Sequence, residues 1–546
     1  MPIETPFSKL HALVVDDAPA QSSTLRGQLQ MLGIQRVDVA SNPDDALRQV
    51  RGGKHGLVLC DYSLGHKTDG QQLFEYLRDN NHLAPDCLFF MVTAENGYAS
   101  VAAASEHKPD AYLLKPITAS DVEDRLRAAL ERRKVFEGVT RALAAGDHAA
   151  ALEACELVLA RKDRWFMQAM QHKGQALLQL GRHGDARAIY QAALALRPQL
   201  VWAQLGLARA YKAGGLLNEA EQQARQIIDS PDGQRNLAAY DVLADTLETR
   251  GDTRAAQWVL RDACAAVPSA KRHRLLADCA YRNGDIETAV DSASRVTKLT
   301  QGALTAQAQD TLMLAQTLVD AGQAPQALGL LDQAQSQFST LPQTETVSHA
   351  IRAQALAANG DAAAAQRAAD RARETQRGAK ADFATVALAK AELMTGHEEA
   401  GLELLGAVVS SDHENTRVQQ LVRNALRQTG HEEKMDSLVK SATGALQGRV
   451  TEARTLFRDD RIDDALGAID AALHDYPDNT GVLFQAAQIN CLALRLKKQA
   501  NESMVDRVRL YLARLDKLMP GNDRVTQMQR YFRETLALLQ DAAVAA

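Results

Sequence analysis

Five polar side chains in the first 115 residues have the chemistry for phosphoryl transfer: Asp16, Asp17, Asp61, Thr93 and Lys115. They stand in four short segments, VVDD at Val14 to Asp17, LVLCD at Leu57 to Asp61, MVTA at Met91 to Ala94, and LLKP at Leu113 to Pro116. An apolar run ending in a polar residue is the pattern of a buried parallel strand that delivers side chains to the carboxyl edge of a sheet. Three carboxylates gathered in a cleft repel one another. A hard divalent cation relieves that conflict, and Mg2+ suits one or two carboxylates together with phosphate oxygens and water. Asp61 can then attack a phosphoryl donor and become an aspartyl phosphate. The metal and the Lys115 ammonium would neutralise charge on the transferring group. The Thr93 hydroxyl could hydrogen-bond a phosphoryl oxygen once the group is attached. One aspartate at a strand end reads as a helix cap; five such residues at strand ends read as a site.

The elements that must position them alternate. Strands are expected at Ala12 to Val15, Val37 to Ala40, Leu57 to Cys60, Leu88 to Val92 and Ala111 to Leu114. Amphipathic helices fall between them, near Ala20 to Leu32, Pro43 to Arg51, Gly70 to Arg78 and Tyr98 to Glu106, and a last helix is capped by Ser120. Five βα units predict a doubly wound, five-stranded parallel sheet with its chemistry at the topological switch point.

The whole chain has 546 residues, so two or more domains are expected. A net charge of −6 argues against a general basic surface for nucleic acid. The six cysteines form no CxxC pair and read as small buried residues of a reducing compartment. The N-terminus lacks a signal-peptide pattern and no run approaches membrane-spanning length, so a cytoplasmic protein is expected. No P-loop occurs. The scattered histidines and the cluster Lys271-Arg-His-Arg274 read as surface residues, and Trp165, Trp202 and Trp258 as packing residues.

Over residues 9–133 these motifs resemble the receiver domain of two-component response regulators. The intervals fit: 44 residues from Asp17 to Asp61, 32 to Thr93 and 22 to Lys115. The resemblance implies that Asp61 is the phosphoacceptor. It implies that Asp17 and Asp61 bind Mg2+ directly, Asp16 through water, with the Ser63 carbonyl as a further ligand. It implies that Thr93 and Tyr112 form a switch pair, that Lys115 contacts the phosphoryl group, and that Pro116 follows a cis peptide bond. Ser63 and Glu95 stand where the family tunes phosphoryl lifetime. The loop Asp61-Tyr-Ser-Leu-Gly65-His-Lys-Thr-Asp69-Gly70 departs from the family pattern, with Gly65 where proline is common and one extra residue.

Beyond residue 135 the signal is a repeat. Glycines recur at 146, 181, 215, 251, 284, 322, 360, 396 and 430, with Asp460 in the same role. Small residues recur seven before eight of these turns, from Gly174 and Ala208 to Ala453, and five after eight of them, from Ala151 to Ala465. Paired small residues let antiparallel helices approach closely, and larger residues such as Tyr190, Leu260, Leu331 and Ile469 fill the grooves between pairs. Prolines at 198, 231, 268 and 477 close units. This resembles a tetratricopeptide repeat (TPR) array, an all-α superhelical solenoid over 135–478, with C-terminal repeats or capping helices over 479–546. The unit around Gly430 is degenerate, and Gln301 to Gln309 suggests a longer connection. The last helix of the first domain could run almost directly into the first repeat helix, with Gly138 the one obvious interruption, and a bend there is equally open.

Together these features point to a response regulator whose output is protein binding and which has no separate catalytic domain. The partners implied are a sensor histidine kinase or phosphotransfer protein, and a protein held on the inner surface of the superhelix. Neither a DNA-binding domain nor a membrane partner is expected, and a homodimer is open. An alternative is a phosphoryl sink that regulates a histidine kinase bound through the repeats.

Overall fold

The computed structural model describes residues 7–545 except 66–67, 85, 95–108, 232, 234–235, 335–341, 377–381, 412–414, 478, 498–500 and 520–521. Five strands, β1 (His11–Val15), β2 (Arg36–Ala40), β3 (Leu57–Asp61), β4 (Leu88–Thr93) and β5 (Ala111–Leu114), form one parallel sheet in the order β2-β1-β3-β4-β5. Alternate residues serve opposite faces, as a strand's two-residue period requires. Ala12, Val14, Leu57, Leu59, Phe90 and Val92 pack on one side with Leu25 and Leu29. Leu13, Val15, Val58, Cys60, Phe89 and Met91 pack on the other with Leu47, Leu73 and Phe74. Helices α1 (Pro19–Met31), α2 (Pro43–Val50) and α3 (Gly70–Asp79) supply those partners. The sheet is therefore doubly wound as expected. The expected helix at 98–106 lies outside the described residues.

The next helix, α4 (Ala119–Ala144), begins one residue before Ser120. Its cap is Thr118, whose hydroxyl accepts from the Asp121 amide while the Asp121 carboxylate accepts from the Thr118 amide. This reciprocal pairing satisfies two donors at once, which Ser120 could not do from inside the first turn. The helix runs 26 residues without a break at Gly138. Val122, Leu126 and Ala129 enter the core of the sheet domain, whereas Phe136 and Val139 enter the core of the first helical pair with Cys155, Val158 and Ala169.

From α4 onward the described chain is a succession of antiparallel helical hairpins. Every glycine of the turn series has positive φ, from 67° at Gly181 to 94° at Gly251, and Asp460 adopts 60° in the same role. This left-handed backbone stops a helix and reverses the chain at little cost for glycine. The recurrent alanines five residues beyond the turns are fully buried. Tyr190 shows why small residues are needed: its ring lies against both Gly174 and Gly206, where a Cβ would overlap it. In the degenerate unit, a 3-10 turn at Glu432–Lys434 leads into one 24-residue helix, Met435–Arg458.

The array folds back on itself. The helix Thr416–Gln428 packs across the earlier helices Leu237–Arg250 and Ala270–Asn283. Asn424 Nδ2 donates to the Tyr281 carbonyl at 2.8 Å, and the Arg417 guanidinium pairs with Asp245 at 2.9 Å and with Glu248. Near the C-terminus, Thr526 covers the Gly181 turn so closely that a Cβ there would overlap its hydroxyl. Part of the array's own surface is thus covered by later helices of the same chain.

Candidate functional site

β1 and β3 lie side by side at the centre of the sheet, so their carboxyl ends bring Asp16, Asp17 and Asp61 together. One carboxylate oxygen from each lies within 4.8 Å of the others. Asp61 is the last residue of β3 and Thr93 the last of β4, each one step further along the strand than the apolar runs suggested. Asp16 and Asp61 are buried, whereas Asp17 is exposed.

Lys115, one residue past β5, reaches across the strand ends. Its Nζ is 3.0 Å from Asp61 Oδ2 and 3.6 Å from Asp16 Oδ2, and it also donates to Gln21. Its backbone amide is held by the Thr93 carbonyl at 2.8 Å, and the Lys115–Pro116 bond is cis. Burial pushes the Asp61 carboxyl above its ordinary pKa; Lys115 opposes the shift and Asp16 adds to it. The Asp16 Oδ1 atom accepts from the Ala18 amide at 2.8 Å, but Oδ2 is buried with no hydrogen-bond partner among the described residues. A buried carboxylate oxygen with no hydrogen bond, only the Lys115 charge 3.6 Å away, beside two further carboxylates is a donor set that fits a hard divalent cation. Ser63 is exposed two residues beyond Asp61.

The β3–α3 connection explains its own departures. Gly65 has a φ of 62°, and a Cβ there would overlap the Asp17 carboxylate. Proline, fixed near −65°, is excluded from that geometry. The connection closes where the Gly70 amide donates to the Tyr62 carbonyl at 2.8 Å and Asp69 forms a capping box with Gln72. Thr93 is buried. The partly buried Tyr112 lies on β5 opposite Met91, and its hydroxyl has no hydrogen-bond partner among the described residues. Burial, with Glu75 adding, pushes that phenol up to about 12. Glu95 lies outside the described residues.

A contact not foreseen from sequence joins this site to the repeats. The Leu304 amide donates to the buried Thr68 hydroxyl at 3.2 Å, and the Leu304 side chain packs with Tyr62 against the sheet core. Thr68 is in the β3–α3 connection, and Leu304 is in the long connection expected at 301–309. A cleft of about 590 Å³ beside the contact is walled by α3 residues and by 267–274.

The expected solvated basic cluster is a set of structural ion pairs. Arg272 is buried and pairs with Asp241, and Arg274 makes a two-pronged contact with Asp310, with both oxygens at 2.7 Å. His55, His183 and His273 are buried, contrary to the surface reading of the histidines. Trp258 departs from the packing reading: it is 61% exposed, with Arg261 over its ring. All six cysteines are buried and free. No helix among the described residues is long and apolar enough to cross a membrane.

Residues 12–127 match the response regulator receiver domain family. Residues 137–201, 177–240 and 242–303 match tetratricopeptide repeat families. A probable chemotaxis protein CheY from Rhizobium etli is 26% identical over 123 residues, which cover 22% of this chain and 91% of that protein. The alkaline phosphatase synthesis transcriptional regulatory protein PhoP from Bacillus subtilis is 29% identical over 123 residues, 22% of this chain and 49% of that protein. The match thus spans about half the length of the second relative. Among solved structures, a tetratricopeptide repeat protein from Parabacteroides merdae is similar at 12% identity with a TM-score of 0.30, over 48% of this chain and 98% of that one.

Proposed function

We propose that this chain, a response regulator receiver domain followed by tetratricopeptide repeats, accepts a phosphoryl group on Asp61 and converts it into a change in protein binding by the array. The observation that carries the reading is the convergence of Asp16, Asp17 and Asp61 with the Lys115 ammonium 3.0 Å from the acceptor carboxylate. The donor is a phosphohistidine of a sensor kinase or phosphotransfer protein. An Asp61 oxygen attacks phosphorus, the phosphorus–nitrogen bond breaks, and the imidazole leaves with a proton from solvent. Asp16, Asp17, Asp61 and the Ser63 carbonyl would hold Mg2+, which supplies charge neutralisation to the transferring group when bound. Lys115 stabilises the same charge from the other side. Thr93 then hydrogen-bonds a phosphoryl oxygen, and the Tyr112 hydroxyl, without a hydrogen-bond partner among the described residues, follows it.

Two routes connect that change to the array. One is α4, shared by both cores. The other is the β3–α3 connection, which begins at the acceptor and meets Leu304 through Thr68. Because helix 416–428 already packs across helices 237–250 and 270–283, a partner engages the surface left uncovered or displaces that helix. The protein works by binding and carries no separate catalytic output; its setting is the cytoplasm.

The test is labelling by acetyl phosphate or a cognate kinase, followed by hydrogen exchange of residues 301–307 with and without beryllofluoride, a phosphoryl mimic. Labelling should vanish in Asp61→Asn with the fold retained, and exchange near Leu304 should change only in the wild type. Labelling that persists in the variant moves the acceptor elsewhere. Exchange that ignores beryllofluoride in a chain that labels overturns the coupling and favours the sink.

A further inference from the structure

At the opposite edge of the same sheet, three other side chains converge. His11 opens β1, Asp38 lies in β2, and His55 stands two residues before β3. In the β1–β2 register His11 faces Arg36, so Asp38 is its diagonal neighbour on the same face, within reach of a long side chain. The Nε2 atoms of His11 and His55 lie 2.8 and 3.0 Å from one and the same Asp38 oxygen, Oδ2. The imidazole rings are 4.5 Å apart between centroids. The three ligand atoms all fall within 4.8 Å of one another.

We propose that His11, Asp38 and His55 form a binding site for a first-row divalent metal ion, Zn2+ by preference, separate from the acidic site at the carboxyl edge. Two imidazole nitrogens and one carboxylate oxygen are a donor set for Zn2+ and its borderline neighbours, whereas Mg2+ and Ca2+ take oxygen. Ligands at about 2.0–2.1 Å around a tetrahedral ion stand roughly 3.3 Å from each other. The two nitrogen–oxygen separations need only a few tenths of an ångström of opening to reach that value. The ligands are set by the backbone: the Gly56 amide, next to His55, donates to the His11 carbonyl at 2.9 Å. The His55 side chain is 5% exposed and its Nδ1 is buried with no hydrogen-bond partner among the described residues. Without an ion the Asp38 carboxylate favours the proton on Nε2; with no described group holding Nδ1, the proton can move there and Nε2 present its lone pair to a metal. The Asp38 side chain, 48% exposed, leaves an entry path and room for water in the fourth position. An ion there would tie three adjacent strands, β2, β1 and the segment leading into β3.

The test titrates Zn2+ into the chelator-treated full chain with Mg2+ in excess, against a chromophoric competitor, and records the visible spectrum with Co2+ in its place. One Zn2+ should bind with an affinity that falls at least tenfold in His11→Gln, Asp38→Asn and His55→Gln but not in Asp61→Asn, and Co2+ should give the intense bands of a tetrahedral N/O site. Equal Zn2+ affinity in the wild type and the three ligand variants overturns the site. So does a wild-type Co2+ spectrum with only weak octahedral bands, a result independent of whether any variant folds.

Discussion

Replacing Asp61 by Asn should stabilise the metal-free protein while abolishing phosphoryl acceptance. In the absence of Mg2+ the ionised Asp61 carboxylate faces Asp16 at no more than 4.8 Å. At an effective dielectric constant of about 20 that repulsion is roughly 3.5 kcal/mol, and Lys115 at 3.0 Å returns about 5.5 kcal/mol. The exposed Asp17 adds a smaller, screened repulsion. Burial of the carboxylate supplies the remaining cost and decides the sign, because the Asp61 pKa is raised despite Lys115. A carboxyl raised in the folded state favours folding below its ordinary value and loses that contribution as pH rises through the raised one. At neutral pH the wild type therefore carries a penalty that Asn removes. Thermal unfolding in chelator should show the variant higher, with the advantage fading as pH falls from the raised value to the ordinary carboxylate range and absent below it. Excess Mg2+ should reverse the order, since the wild type gains more from the cation. A variant less stable than wild type by about 2 kcal/mol or more in chelator would refute the crowding argument and assign the carboxylate a net attractive role with Lys115.

Chelation of Mg2+ should stop labelling of the wild type by acetyl phosphate, measured by mass; undiminished labelling counts against the acidic metal site. Gly206→Ala should lower stability by about 1–3 kcal/mol through overlap with the Tyr190 ring, despite better helix propensity, and Tyr190→Leu in the same chain should recover most of it. Gly27→Ala, which meets open space within a helix, should instead gain roughly 0.5–1 kcal/mol in denaturant unfolding. Lys390 pairs with Asp320 at 2.5 Å and is 1% exposed, so Lys390→Met alone should cost about 3–5 kcal/mol; adding Asp320→Leu should restore most of that in the same assay.

What sequence could reveal was whatever repeats locally. The apolar runs ending at Asp61 and Thr93 announce buried strands because both sheet faces are covered, and the glycine series announces turns because each needs positive φ. The helix cap was misplaced by two residues because Thr118 and Ser120 both offer a hydroxyl, and only the reciprocal bond to Asp121 separates them. Arg272 and Arg274 looked solvated because their partners, Asp241 and Asp310, stand about one repeat away on either side. The meeting of Leu304 with Thr68, and of Arg417 with Glu248, depends on superhelical curvature, which no short window of residues encodes. The histidine pair around Asp38 escaped notice for the same reason: it is assembled by strand order.

The unbroken helix α4 has an evolutionary price attached to its length. Inserting one residue between Ala129 and Phe136 would swing one module by about 100° and lift it about 1.5 Å relative to the other. Leu304 would then miss Thr68, although both modules could still fold. Such a fusion is phased like meshed gears: homologues that keep the Thr68 meeting must keep the tooth count between the two cores, and chimaeras spliced inside that stretch should lose their transmission before they lose their parts.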